Sequence, residues 1–332
     1  MTSQLKVGVW DYDHARSLFD GTVKIDGFDA TFESAGIVSQ IFERMVRDQA
    51  YDVAELGLTF YVRTLDLKES PFIALPIFPN RHFRHSAIWV NTDSGITSPS
   101  DLVGKTIGEF ATYGHDAGIW PKGILSDDYG FTPDQARWVV GGTNRPMKPF
   151  DFIPFLHPSD VDVQLAPEGR TLGSMLEAGE IDALISALVP QEVLEGSTKI
   201  APLFPDYEAV ERDYYRRTGI YPIMHTIVVR REYLAEHPEL PRAVYDGFSA
   251  SRDIAVGRLE HGRMEQHIES LVPWSSPLYE RNRTLLASDH WAYGVEANRV
   301  AVDTFLRYTS EQGLSKRRLT PEDIFVPDLL DT

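Results

Sequence analysis

The stretch Ile220–Arg230, IYPIMHTIVVR, settles how the chain is assembled. It is a long apolar run with strand character, β-branched at its end. Before it, short strands and helices alternate. After it, the pattern is helical to the end, over Pro241–Val256, Arg263–Leu271, Tyr279–Leu286 and Asn298–Gln312. One late strand between an α/β region and a helical tail is expected to carry the chain back to a sheet begun earlier.

Upstream, Leu5–Trp10, Ala30–Glu33, Asp52–Leu58 and Phe72–Phe78 read as strands, and Ser86–Val90 as a fifth. Asp11–Asp20 is a polar loop leading into a short helix. Ser39–Asp48 spaces Ile41, Phe42, Met45 and Val46 as a helix does, with Ser39 as N-cap. The rhythm then restarts. Ser100–Leu102 caps a turn, and strands follow at Lys105–Glu109, Arg137–Val140, Val161–Leu165 and Ile181–Ser186. Helices are expected at Trp120–Tyr129, stopped by Gly130, and at Thr171–Ala178, closed by Gly179. Such βαβ order predicts parallel sheets with helices on both faces. The expected architecture is α/β and two-lobed. Residues 1–88 and 226–332 form a discontinuous first domain and 89–225 the second. Two crossover strands make the hinge, with a ligand cleft between the lobes.

Composition narrows the function. Among 332 residues, 32 basic and 49 acidic side chains leave a net charge of −17, which argues against nucleic acid or an anionic membrane as partner. The absence of cysteine removes thiol nucleophiles, disulfides and thiolate metal sites. No run approaches the roughly 18 apolar residues of a membrane span, and no signal-like apolar segment precedes the first strand, so a cytoplasmic protein is expected. No HExxH, EF-hand, GxxxxGK[ST], GxGxxG or GxSxG pattern is present, and Lys316–Arg318 is too short a basic run for nucleic acid. On the predicted helix Arg263–Leu271, Glu265 shares a face with His261, ordinarily a solvated face. Phe305, Leu306 and Tyr308 suit core packing or a dimer surface, so a homo-oligomer stays open.

The segments FPNRHFRHSAIWVN (Phe78–Asn91), DVAELGLTFYV (Asp52–Val62), LFPDYEAVERDYYRRTGIYPIMHTIVVRR (Leu203–Arg231) and WAYGVEANRVAVDTFLRYTSEQGL (Trp291–Leu314) resemble, in order along the chain, the 4,5-dihydroxyphthalate decarboxylase family. The resemblance implies a fold like that of type 2 periplasmic binding proteins. It also implies loss of CO2 from a hydroxylated aromatic carboxylate, giving a protocatechuate-like product without an organic cofactor. A divalent metal is not supported by any motif. Relatives often carry a Pro-Glu-Tyr-type segment where this chain has GEFATYGHDAGIW (Gly108–Trp120), and Ser-rich residues where it has Gly57-Leu58-Thr59. The exact substrate therefore stays open. So does the alternative of a non-catalytic solute-binding protein for a small aromatic or organic acid.

Decarboxylating a phenolic acid needs a base at the ring hydroxyl, an acid at the carbon losing CO2, and cations for carboxylates. Arg81, Arg84 and His85 form the densest constellation. Strand alternation would put residues 81 and 85 on one face and 84 on the other. Arg81 is expected to grip a carboxylate and His85 to move a proton, with Arg84 in an interdomain salt bridge or at the substrate. His225, in the second crossover, is either a satisfied core histidine or the partner of His85 at the cleft. Glu55 ends the third strand and would pair with Arg81 or accept a phenolic proton. Glu109, Tyr113, His115 and Trp120 in the second unit, Thr59 after the third strand, and Trp10, Asp11 and His14 after the first are further candidates for lining the pocket.

Overall fold

The computed structural model describes residues 2–153, 157–286 and 289–332. Four strands open the chain: β1 (Ser3–Gly8), β2 (Phe28–Glu33), β3 (Val53–Gly57) and β4 (Phe72–Leu75). The chain then builds β5 (Ile88–Asn91), β6 (Thr106–Phe110), β7 (Arg137–Gly141), β8 (Asp162–Leu165), β9 (Ala183–Ile185) and β10 (Ile200–Pro202). Strand β11 (His225–Arg230) returns to the first sheet, whose order is β2-β1-β3-β11-β4; the second has the order β10-β5-β9-β6-β7-β8.

The sheets are mixed rather than parallel. β11 runs antiparallel to β3 and β4, and β5 antiparallel to β9 and β10. These are the strands next to the two crossings, where the chain traverses between sheets in opposite directions. The crossing segments lie side by side: His82 N–H donates to Pro222 O at 3.0 Å, Met224 N–H to Asn80 O at 2.9 Å, and Arg81 bridges Ile223.

Several expected elements shift. The strand foreseen over Ile220–Arg230 begins at His225, because Pro222 has no N–H for a ladder and residues before it form the crossing. Ser86–Val90 is a 3₁₀ turn, His85–Ala87, followed by β5, so the alternation argued for residues 81–85 does not apply. The fourth strand stops at Leu75, before Pro76. The helix assigned to Ser39 as cap starts at Val38 with Ile37 as N-cap, whose N–H donates to Gln40 Oε1. The helix expected from Trp120 starts at Asp116 and tolerates Pro121; Gly130, at φ 71°, ends it in the left-handed region. Arg263–Leu271 is not a helix: the long helix Leu240–Gly262 ends in a short turn, and His267 is buried. Phe305, Leu306 and Tyr308 are core residues, with Tyr308 edge-on to Trp120.

One large apolar cluster reaches both sheets, holding Val7, Val53 and Val228 of the first and Ile107, Val140 and Ile185 of the second, and a smaller one around Leu172, Leu176 and Leu184 packs on the second sheet. The two sheets are therefore packed over a continuous core, which fixes the walls of the cleft between them. Among the described residues no helix is long and apolar enough to cross a membrane.

Candidate active site

The register of β11 against β3 builds the centre of the site. His225 lies opposite Gly57 and Ile227 opposite Glu55. Gly57 puts no side chain in the way, so His225 reaches diagonally along the strand to Glu55. Its Nδ1 lies 2.6 Å from Glu55 Oε1. Glu55 is fully buried and also accepts from the Trp10 N–H at 2.9 Å and the Tyr12 hydroxyl at 2.7 Å. A carboxylate so surrounded can only accept, so it holds Nδ1 as the N–H and leaves Nε2 of His225 for the cleft. Burial, and next the charge of Glu55, push the Tyr12 hydroxyl far above its ordinary value, keeping it a neutral donor.

Opposite stands the loop after β6 and the helix it opens. His115 and Asp116 both line a cavity of about 380 Å³ together with His225 and Arg84. Asp116 Oδ1 accepts the Thr59 N–H at 2.8 Å. Burial pushes its carboxyl above the usual range, against the pull of His225, the Thr59 N–H, His115 and Arg63. A Cβ on Gly57 would collide with Asp116 Oδ2, so this glycine serves the acid as well as the histidine. His115 Nδ1 faces Glu109 Oε1 at 3.4 Å, and its Nε2 is buried with no partner among the described residues. Glu109 also takes Lys122 Nζ at 2.8 Å and the Gly114 N–H at 2.9 Å. Burial alone would raise Glu109, but Lys122 and His115 hold it below the usual range, while burial brings Lys122 down to about 8. A Cβ on Gly118 would strike Glu109 Oε1, which is why this turn of helix is glycine.

The remaining walls are apolar: Phe42 and Phe60 from the first lobe, Phe110, Met147, Phe150 and Leu188 from the second. Phe42 meets the His225 ring edge-on at 5.0 Å. Arg84 supplies a cation at the hinge; its Nε donates to Met224 Sδ at 3.1 Å, and burial lowers it to about 10, so it stays charged at neutral pH. A shallow polar loop, Thr143, Asn144 and Arg145 after β7, completes the rim. The whole is an apolar-walled cavity with ionisable groups on two sides and cations at its edge. Among the described residues no group of three or more His, Asp or Glu side chains is placed to hold a metal ion.

The structure brings together His225, Glu55, Arg84 and His115 of the residues singled out by sequence, with Glu109 behind His115. It does not bring in the others. Arg81, expected to grip a carboxylate, is buried away from the cavity; its guanidinium is spent on Ala292 O at 2.7 Å and Asn298 Oδ1 at 2.6 Å. His85, expected as a proton carrier, packs edge-on to Phe204 and Tyr214, outside the cavity lining. Neither ring nitrogen has a partner among the described residues, and burial lowers it to about 4, so it stays neutral. Glu55 pairs with His225 and not with Arg81. Thr59 is buried and serves as a tether for Asp116 and Gly114 rather than as lining. Tyr113 lies behind the site, its ring 3.6 Å from Lys122 Nζ. Trp10 and Asp11 are exposed outside the cavity, Trp10 Nε1 donating to Ala35 O. His14 stacks on Tyr12, and Trp120 donates to Ile223 O.

Asp116, Lys122 and Arg145 were missed. Asp116 looked like loop because the helix was started four residues late, at Trp120; the pair His115-Asp116 directly after a strand end was the available signal. Lys122, inside an apolar helix turn, is a charge that must find a buried partner. Arg145 follows the Gly141-Gly142 pair at the end of β7, a loop position that carries no motif of its own.

Two mixed sheets joined by two crossings, with a ligand-sized slot at the crossing, define a two-lobed periplasmic-binding-protein-like fold. Solved structures agree: the sulfonate-binding protein SsuA of Methylobacillus flagellatus superposes with a TM-score of 0.57 over 98% of this chain and 92% of its own, at 14% identity. The aliphatic sulphonate binding protein SsuA of Escherichia coli gives 0.53 over 100% of both chains, at 12% identity. No protein-family model matches the chain. Among curated proteins, the 4,5-dihydroxyphthalate decarboxylase of Comamonas testosteroni is 37% identical over 329 residues, covering 99% of this chain and 98% of its own length. That of Pseudomonas putida is 38% identical over 212 residues, 64% of this chain and 81% of its own. The chain belongs to the 4,5-dihydroxyphthalate decarboxylase family.

Proposed function

We propose that this protein is a carboxy-lyase that removes CO2 from a hydroxylated aromatic acid of the 4,5-dihydroxyphthalate type, leaving a protocatechuate-like product. The observation that carries this reading is the buried Glu55–His225 pair, aimed into an aromatic-walled slot that also holds Arg84 and Asp116. The names of the two relatives support the same chemistry.

In the proposed reaction the ring stacks among the Phe side chains and Arg84 meets a carboxylate. Nε2 of His225 takes the proton of the hydroxyl para to the reacting carbon, and Glu55 stabilises the imidazolium that forms. Electron density moves through the ring to the carbon that bears the departing carboxylate. Asp116, whose carboxyl burial biases towards its protonated form, delivers its proton to that carbon. The C–C bond then breaks, CO2 leaves, the electron pair stays in the ring, and His225 returns its proton to the oxygen. One proton is consumed per turnover, and it restores Asp116. The ring accepts the electron pair, so an organic cofactor is not required. The apolar walls favour the charge-dispersed transition state over the solvated carboxylate. This reading includes a cytoplasmic location, tested by cell fractionation.

The test is incubation of purified protein with 4,5-dihydroxyphthalate and related catechol carboxylates, with and without divalent metal, following CO2 release. Turnover supports the reading; ligand recovered intact while raising the melting temperature supports instead a binding protein, the role named for the structural neighbours.

A further inference from the structure

The charges that face the cleft do not balance. Glu55 is matched by His225, and Glu109 by Lys122 and His115. Asp116 is biased towards its neutral form. Arg84 and Arg145 remain: Arg84 feels the charges of Asp116 and Glu211 without an ion-pair contact, and among the described residues Arg145 has no ion pair. A protein with a net charge of −17 thus lines one cavity with two arginines that no carboxylate contacts directly.

Their settings differ. Arg84 is buried at the hinge, whereas Arg145 is exposed at the mouth, on the loop after β7. That loop is built. Asn144 pins it twice, its Nδ2 donating to Val189 O at 2.9 Å and its Oδ1 accepting the Gln191 N–H at 2.9 Å. Arg145 O folds back so tightly that any side chain on Gly142 would collide with it. Pro146 restricts the backbone of Arg145 to extended conformations. An exposed arginine on a wandering loop would be an ordinary solvated surface group; one on a doubly pinned loop, lining the slot without a counter-ion, is held for something anionic.

We propose that Arg145 is the specificity-determining residue that selects ligands carrying two anionic groups on neighbouring ring positions, Arg84 meeting one and Arg145 the other. This rests on the aromatic-acid reading of the site, and it adds that the second group is read as an oxyanion of fitting geometry, sulfonate as well as carboxylate. The guanidinium fork suits either, since both present two coplanar or near-coplanar oxygens.

The experiment measures binding alone, by calorimetry at fixed ionic strength, with phthalate, 2-sulfobenzoate and benzoate as non-reacting probes. Wild type is expected to bind both dianions about tenfold or more tighter than benzoate, as a charge-assisted hydrogen-bond pair allows. Arg145→Gln should bring that ratio close to one by weakening the dianions, with benzoate affinity unchanged; Arg145→Lys should fall between. Arg145 is exposed, so the variants are expected to fold, and the benzoate value serves as the control. The proposal is overturned if wild type does not distinguish the probes or binds none of them. It is equally overturned if Arg145→Gln weakens all three alike or leaves the dianions unaffected. Turnover does not enter, so a protein that selects dianions but releases no CO2 would refute the decarboxylase reading and leave this assignment standing.

Discussion

Replacing Glu55 by Gln tests the centre of the proposed mechanism with almost no change in shape. The buried carboxylate accepts three hydrogen bonds, from Trp10 N–H, the Tyr12 hydroxyl and His225 Nδ1. An amide offers only one accepting atom. If its oxygen stays on Oε1's side, its NH2 points at the Trp10 N–H and one buried donor is left unpaired. If it flips, the NH2 faces His225 and forces Nδ1 to be bare, so that Nε2 carries the proton and cannot accept one. Either arrangement costs about 1–3 kcal/mol of stability, the penalty for one unsatisfied buried group. The flipped form, or simply loss of the negative charge, also removes support for the imidazolium, and kcat should fall about 10²–10⁴-fold. KM should move little, because Glu55 does not line the cavity. The assay is steady-state CO2 release at several substrate concentrations, alongside a thermal melt. A folded Glu55→Gln protein whose kcat stays within about threefold of wild type would refute the dyad.

Asp116→Asn keeps an oxygen for the Thr59 N–H but removes the transferable proton; kcat should drop about 10²–10⁴-fold with substrate binding retained, measured by turnover and calorimetry. Its raised value also means that native protein binds this proton more tightly than unfolded chain, so stability should decline as pH rises from about 3.8 through the raised value; melts of Asp116→Asn should lose that part of the slope. His85 behaves in the opposite sense. Its native value near 4 lies below the unfolded value of about 6.5, so the unfolded chain binds the proton first and stability is lost as pH falls through that window. By pH 5 the loss should be about 2 kcal/mol relative to neutral pH, and denaturant melts of His85→Phe should not show it. Lys122→Met strands the buried Glu109 and should destabilise by about 3–5 kcal/mol, whereas the double variant Glu109→Gln/Lys122→Met should recover most of that in the same melts; equal loss in both would show that the ion pair is not what matters.

Much of the fold could be read along the chain because it rests on local pattern. The alternation of Leu5, Val7 and Val9, the helical spacing of Ile41, Phe42 and Met45, and the glycines that end helices at Gly130 and Gly179 each act within a few residues. The late apolar run was correctly seen as a return to the first sheet. Its extent and direction were not, because Pro222 and the crossing it belongs to matter only against a neighbouring chain. The site was legible in kind and less so in membership. Three of the four charged residues clustered at the first crossing and the third strand looked equivalent on paper: Arg81, His85 and Glu55 are all polar groups in apolar company. Only Glu55 meets a residue that lines the cavity, because Gly57, two residues further along its own strand and opposite His225, leaves the His225 ring free to reach it.

By itself, the sequence determined the α/β class, the absence of thiol chemistry, the need for His, carboxylate and Arg groups, and, through ordered segments over most of its length, the family it resembles. These depend on composition and on periodicities that every residue carries with it. Tertiary structure alone decided which polar residues reach the cavity and which are spent elsewhere in the fold. Arg81 is turned away from the cavity by Asn298 and the Ala292 carbonyl, more than 200 residues away, and Asp116 is held at it by a backbone N–H donated by Thr59, 57 residues away. A buried charge is defined by the partners that meet it, and here those partners come from distant turns of chain brought together only when the two sheets pack.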